Sequence, residues 1–139
     1  MKSSLEALRE SEKIQKGALM RITKHFGLTI AEWQLLTTMI AGFDTQDKLS
    51  AEMGLDTSTL SRQLKSIFSK EYVDRIATGR DKRQLIYTVL PKGLQAVNDI
   101  NQQYAHFERL VFDKWSKEEV NMLRILLNRL EKSMTRVVE

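Results

Sequence analysis

Three observations predict a mainly α fold with one small β-hairpin wing for this chain of 139 residues. Ser, Thr or Asp stands before several apolar stripes of helical spacing. Two of those stripes are short and are separated by a glycine turn. The period then changes to that of strands on either side of a charged, polar tip.

Each element can be justified in order. Ser3 and Glu6 have the S-x-x-E spacing of a capping box. The segment of roughly 4–25 that follows carries Leu5, Leu8, Leu19 and Ile22 among charges, an amphipathic helix with a polar middle. Thr29 and Glu32 repeat the spacing before Trp33, Leu35, Leu36, Met39 and Ile40, and Gly42 closes this second helix. Thr45 can cap a third helix of about 46–53, with Leu49 and Met53 on one face, and Gly54 interrupts it. Asp56 caps a fourth helix of about 57–69, where Leu60, Leu64, Ile67 and Phe68 form one stripe. Two short helices around a tight turn make a helix-turn-helix candidate.

Tyr72, Val73 and Ile76, then Leu85, Ile86, Tyr87, Val89 and Leu90, flank the stretch TGRDKR at 78–83, and this reads as a two-stranded hairpin. Pro91 suits the first turn of a fifth helix reaching about Phe112. Ser116 and Glu119 form a third capping box. The last helix, about 117–137, places Val120, Leu123, Leu127, Leu130, Met134 and Val137 at spacings of 3, 4, 3, 4 and 3, a heptad seam. A helix from a second copy suits so narrow a seam; packing on the chain's own first helix is the alternative.

Charge narrows the function. Between Lys48 and Lys92 stand nine basic and five acidic residues, so the entire net charge of +4 lies in the middle of the chain. A basic segment between neutral flanks suggests an anionic partner, nucleic acid first. There is no cysteine, which excludes disulfides, iron–sulfur clusters and thiol redox sensing, and fits a reducing, cytoplasmic setting. His25 and His106 are the two histidines, too few for a multi-histidine metal site. The charged start, MKSSLEALRESEKIQ, leads us to expect neither a signal peptide nor a membrane anchor. No G-x-S-x-G, H-E-x-x-H or phosphate-cradling glycine loop occurs. No catalytic residue, metal or cofactor is therefore expected.

A helix-turn-helix followed by a basic hairpin is a winged helix-turn-helix, whose second helix can enter the major groove of double-stranded DNA. Because the Leu60, Leu64, Ile67 and Phe68 stripe must face the core, Ser58, Ser61, Arg62 and Lys65 lie on other faces, with Thr57 and Thr59 near the helix start. Hydroxyls there suit phosphate oxygens, or else they cap the helix. Arg62 can address guanine with two hydrogen bonds. The tip carries Arg80, Asp81, Lys82 and Arg83, for DNA contact or else as a solvated turn; arginine suits a narrow minor groove, and Asp81, which repels phosphate, would hold an arginine in place.

These residues resemble the multiple antibiotic resistance regulator (MarR) family of bacterial transcription factors. LTIAEWQLL at 28–36 resembles the family's L-T-x-x-Q/E-W lead into its second helix. DKLSAEMGLDTSTLSRQLKSIFSKEYVDR at 47–75 resembles its helix-turn-helix through the first wing strand, and Asp81 and Arg83 match its D-x-R wing signature. Lys92-Gly93 resembles the K-G opening of its fifth helix.

The resemblance implies one domain over 1–139. Its DNA-binding lobe would be about 29–90, with dimerisation helices at about 4–25 and 91–139. It implies a homodimer joined through Leu5, Leu8 and the seam residues. It also implies a palindromic operator, usually a repressor's, with the helix from Thr57 to Lys65 in the major groove and Arg83, with Arg80, in the minor groove. Release by a small anionic or aromatic effector is implied as well. Arg21, Lys24, His25 and Trp33 stand where such a crevice would lie, and a solvated helix end with Trp33 in the core is the alternative.

Two residues depart from the family pattern. Glu71 replaces the usual Gly, and a left-handed turn there would cost about 1 kcal/mol or more, which points to a different helix exit. Leu90 replaces a Thr cap worth about 1 kcal/mol, partly offset by Pro91. The competing function is a winged-helix protein-interaction module without specific operator binding; the basic middle argues against it, because protein docking needs no such charge asymmetry.

Overall fold

The computed structural model describes residues 1–80 and 83–139. In chain order the elements are α1 (Ser4–His25), α2 (Ile30–Ile40), α3 (Gln46–Met53), α4 (Thr57–Ser69), β1 (Val73–Thr78), β2 (Gln84–Val89), α5 (Pro91–Val111) and α6 (Lys117–Val138). Residues Met1–Tyr104 form one compact unit and Ala105–Glu139 a second. Among the described residues, no helix is long and apolar enough to cross a membrane.

The caps read from the sequence are present. Ser3, Thr29, Thr45, Asp56 and Ser116 each accept a backbone N–H three residues ahead, with the reciprocal bond from Glu32 and from Glu119 in two of the boxes. The core of the first unit gathers Leu35, Leu36 and Met39 of α2, Leu49 of α3, Leu60, Leu64 and Ile67 of α4, and Ala96, Val97 and Ile100 of α5, with Tyr72, Val73 and Tyr87 from the wing. The apolar stripes of α2, α3 and α4 are thus its three inner faces. In α1 the outcome differs from the expected stripe. Ala18 and Thr23 are its buried residues, whereas Leu19 and Ile22 are half-buried and Leu5 is exposed.

The wing is an antiparallel pair in which Val73 faces Val89, Arg75 faces Tyr87 and Ile76 faces Ile86. The Tyr87 N–H donates outward to the Asp44 carbonyl at 2.8 Å. The Arg75 N–H donates to the carboxylate of its own neighbour, Asp74, at 2.8 Å.

The exit of α4 corrects one expectation. Glu71 does adopt the left-handed conformation, with φ of 65°, although it is not glycine. The Glu71 N–H donates to Phe68 O and the Tyr72 N–H to Ile67 O, each at 3.0 Å. This is the bonding of a Schellman motif, which satisfies carbonyls at the helix end. It also sends Tyr72 into the core, where its hydroxyl donates to Phe26 O at 2.5 Å. Those gains outweigh the backbone cost. Glu71→Gly is expected to stabilise the chain by about 1 kcal/mol, measured as a higher melting temperature. A lower one would mean that the Glu71 side chain contributes more than its backbone costs. At Leu90 the backbone is tied at both groups: its N–H donates to Tyr72 O at 2.9 Å and its carbonyl accepts from Leu94 at 3.0 Å.

In the second unit, no residue of α6 is buried. Val120, Leu123 and Leu130 of the seam are half-buried, and Leu127, Met134 and Val137 are exposed. Met122, Ile125 and Leu126, outside the seam, are more exposed than Leu127. The bare apolar surface is therefore wider than the two-position stripe expected.

Candidate nucleic-acid interface

The helix pair is set by its turn. Gly54 ends α3 in the left-handed conformation, φ 64°, and its N–H donates to Ser50 O at 2.9 Å. The Ser50 hydroxyl donates to Leu55 O at 2.7 Å, tying the turn to α3. Asp56 then starts α4. With Leu60, Leu64 and Ile67 buried, Thr57, Ser58, Ser61, Arg62 and Lys65 are exposed and Thr59 is half-buried.

The hydroxyls divide between the two roles open to them. Those of Ser58 and Thr59 both donate to the Asp56 carboxylate, at 2.8 and 3.0 Å, beside the Thr59 N–H at 2.7 Å. In this structure these two are capping groups. The Thr59 amide, then the two hydroxyls, hold the Asp56 carboxyl below its ordinary pKa. Ser61 differs. Its oxygen accepts from Gln46 Nε2 at 2.8 Å, which leaves the hydroxyl its own proton to donate outward.

Gln46 is a residue that the sequence reading passed over. It opens α3, reaches α4 at Ser61 and lines a cleft of about 730 Å³ with Thr57, Asp47, Gln84 and Arg83. That cleft brings the N-terminal ends of α3 and α4 to the base of the wing. Helix N-termini carry partial positive charge and unsatisfied N–H groups; Arg83 adds a full positive charge and Asp47, in the same lining, a full negative one. The helix ends with Arg83 are the part of the cleft that suits an anionic backbone. Arg80 is exposed beside Gly79, whose φ of 91° turns the chain at the tip. The roles expected of Asp81 and Lys82 lie outside the described residues.

A second residue read only as a cap has a larger part. Glu32 is 3% exposed. Its Oε1 accepts from the Thr29 N–H at 2.9 Å, Ser66 Oγ donates to Oε2 at 2.6 Å, and Lys70 Nζ sits 2.9 and 3.0 Å from the two oxygens. Burial alone would raise its pKa. The bonds from Ser66, Lys70 and the Thr29 amide, with the Lys70 charge, outweigh burial and lower it.

The proposed effector residues are less converged. Arg21, Lys24 and His25 are exposed at the end of α1. The His25 ring meets Phe26 edge-on at 5.2 Å. Trp33 is half-buried against the core, and its indole N–H donates to Asn101 at 3.1 Å.

Comparison with known proteins agrees with this geometry. The MarR family profile matches residues 26–84. The Bacillus subtilis HTH-type transcriptional regulator YxaD is 30% identical over 86 residues, which is 62% of this chain and 60% of that protein, so less than two thirds of the relative is spanned. Among solved structures, a MarR family transcription regulator superposes with a TM-score of 0.86 at 18% identity, covering 97% of this chain and 90% of its own. A mutant of E. coli MarR complexed with operator DNA superposes with a TM-score of 0.71 at 19% identity, covering 90% and 91%. Residues 26–84 thus resemble the MarR family, and the chain shares the winged helix-turn-helix fold of solved MarR proteins.

Proposed function

We propose that this chain is a sequence-specific regulator of transcription that binds double-stranded DNA as a homodimer. The observation that carries the reading is the face of α4. Ser61, Arg62 and Lys65 are exposed there, next to a cleft on which two helix N-termini and Arg83 converge. The fold likeness to a MarR protein solved on operator DNA supports the same assignment. The exposed apolar surface of α6 supports self-association, because contiguous apolar surface on one chain commonly marks an interface. A dimer reads two half-sites about one helical turn apart, hence a palindromic operator. Repression, released by a small anionic or aromatic molecule near Arg21, Lys24, His25 and Trp33, completes the proposal.

Selection of bound sites from a random duplex library, with the purified protein, tests it. Enrichment of an inverted repeat supports the regulator. No enrichment from a dimer at low salt would favour an interaction module instead. On the enriched duplex, affinity is expected to fall by about 10³-fold or more between 50 and 200 mM salt, the loss for about six to ten neutralised phosphates. A flat salt titration by fluorescence anisotropy would contradict phosphate contact.

A further inference from the structure

Two capping boxes in this chain have the same local sequence logic and different surroundings. At α6, Glu119 accepts from the Ser116 N–H at 2.9 Å and is exposed. At α2, Glu32 makes the same bond to Thr29 and is buried. A cap alone therefore does not need burial. The rest of the Glu32 contacts cross 34 and 38 residues of sequence to the end of α4. A buried carboxylate is costly unless its oxygens are filled, and here both oxygens are filled by Thr29, Ser66 and Lys70.

Ser66 and Lys70 are four residues apart, and Arg62 is four residues before Ser66, so the three form one row along α4. Glu32 grips two members of that row. The third, Arg62, is exposed and lines, with Glu32, Ser66 and Lys70, a cleft of about 350 Å³. Any slip or rotation of α4 that moved Ser66 would carry Arg62 with it. We propose that Glu32 is a positioning residue for the recognition helix, setting the rotation and axial register of α4 and so the place where the Arg62 guanidinium meets a base edge. The inference rests on the DNA-binding reading above. A bidentate contact is sensitive to such a shift, because a displaced guanidinium keeps one hydrogen bond of two. Phosphate contacts through flexible basic side chains are not. The loss should therefore appear in discrimination between sequences rather than in binding to DNA as such.

The test uses the duplex enriched by the wild-type protein and a scrambled duplex of equal length. Glu32→Gln keeps a side-chain carbonyl for the Thr29 N–H and removes an acceptor from the Lys70 ammonium. It is expected to bind the enriched duplex about tenfold more weakly, with binding to the scrambled duplex equal or slightly stronger, since one negative charge is gone. Ser66→Ala, which removes one hydrogen bond and no charge, is expected to lose discrimination several-fold in the same sense and decides the matter if Glu32→Gln does not fold. Far-ultraviolet circular dichroism establishes folding. Folded variants that keep the wild-type ratio of the two affinities would overturn the positioning role, and so would equal losses on both duplexes, which reflect a smaller folded fraction. Absence of discrimination in the wild-type protein would instead refute the DNA reading, and the inference with it.

Discussion

Gly93→Ala is expected to destabilise the chain by about 1–3 kcal/mol, the usual cost of forcing atoms into a packed site. Gly93 is buried in the first turn of α5. A Cβ there would stand 2.5 Å from the Tyr72 carbonyl oxygen and 2.8 Å from a methyl of Val89. The valine can rotate away, but the carbonyl has little room to yield. It accepts the Leu90 N–H, and Tyr72 itself is anchored through its hydroxyl to Phe26 and lies under the Lys92 ammonium, 4.9 Å from the ring centroid. Moving it would disturb the start of β1 and the exit of α4 together. Urea unfolding would show the change as a lower midpoint. An unchanged midpoint would mean that α5 shifts freely against the wing.

Arg62→Ala is expected to weaken binding to the enriched duplex by about 1–3 kcal/mol, the worth of one bidentate base contact. On the proposed role of Arg62, preference should relax at one base pair of each half-site. We propose that the flexible Lys65 side chain meets a phosphate, so Lys65→Ala serves as the contrast, because a phosphate contact carries no sequence information. It should weaken all duplexes alike and reduce the salt slope by about 0.9. The two outcomes separate in a repeated site selection with each variant. A uniform loss from Arg62→Ala would reassign that residue to the backbone and leave specificity to Ser61 and the wing.

What the chain discloses before folding depends on how local the cause is. Asp56 followed by the Leu60, Leu64 and Ile67 stripe specifies α4 within one element, and the structure has that helix with those residues buried. The strands flanking the tip pair in register for the same reason. Glu32 is the opposite case. Thr29–Glu32 and Ser116–Glu119 look alike in sequence, and only the distant Ser66 and Lys70 make one of them a tertiary clamp. Glu71 shows a second kind of failure. The expectation was drawn from the residue's own preference, whereas the bonds to Phe68 and Ile67 decide its conformation. In α1, Ala18 and Thr23 are buried while Leu5 is exposed, since burial follows proximity to other helices and not hydrophobicity alone. Gln46 carried no motif signal, because its bond to Ser61 needs the folded turn.

A sheet of two strands has two open edges, and an open edge invites pairing with another chain. At the Arg75–Tyr87 pair both edge donors are already occupied, Tyr87 by Asp44 and Arg75 by Asp74. On the β1 side that protection is a carboxylate, which also places charge beside Ile76, 62% exposed. At this pair the wing can thus present an apolar side chain to solvent while offering no free backbone donor to a further strand, the kind of local block that limits edge-to-edge association.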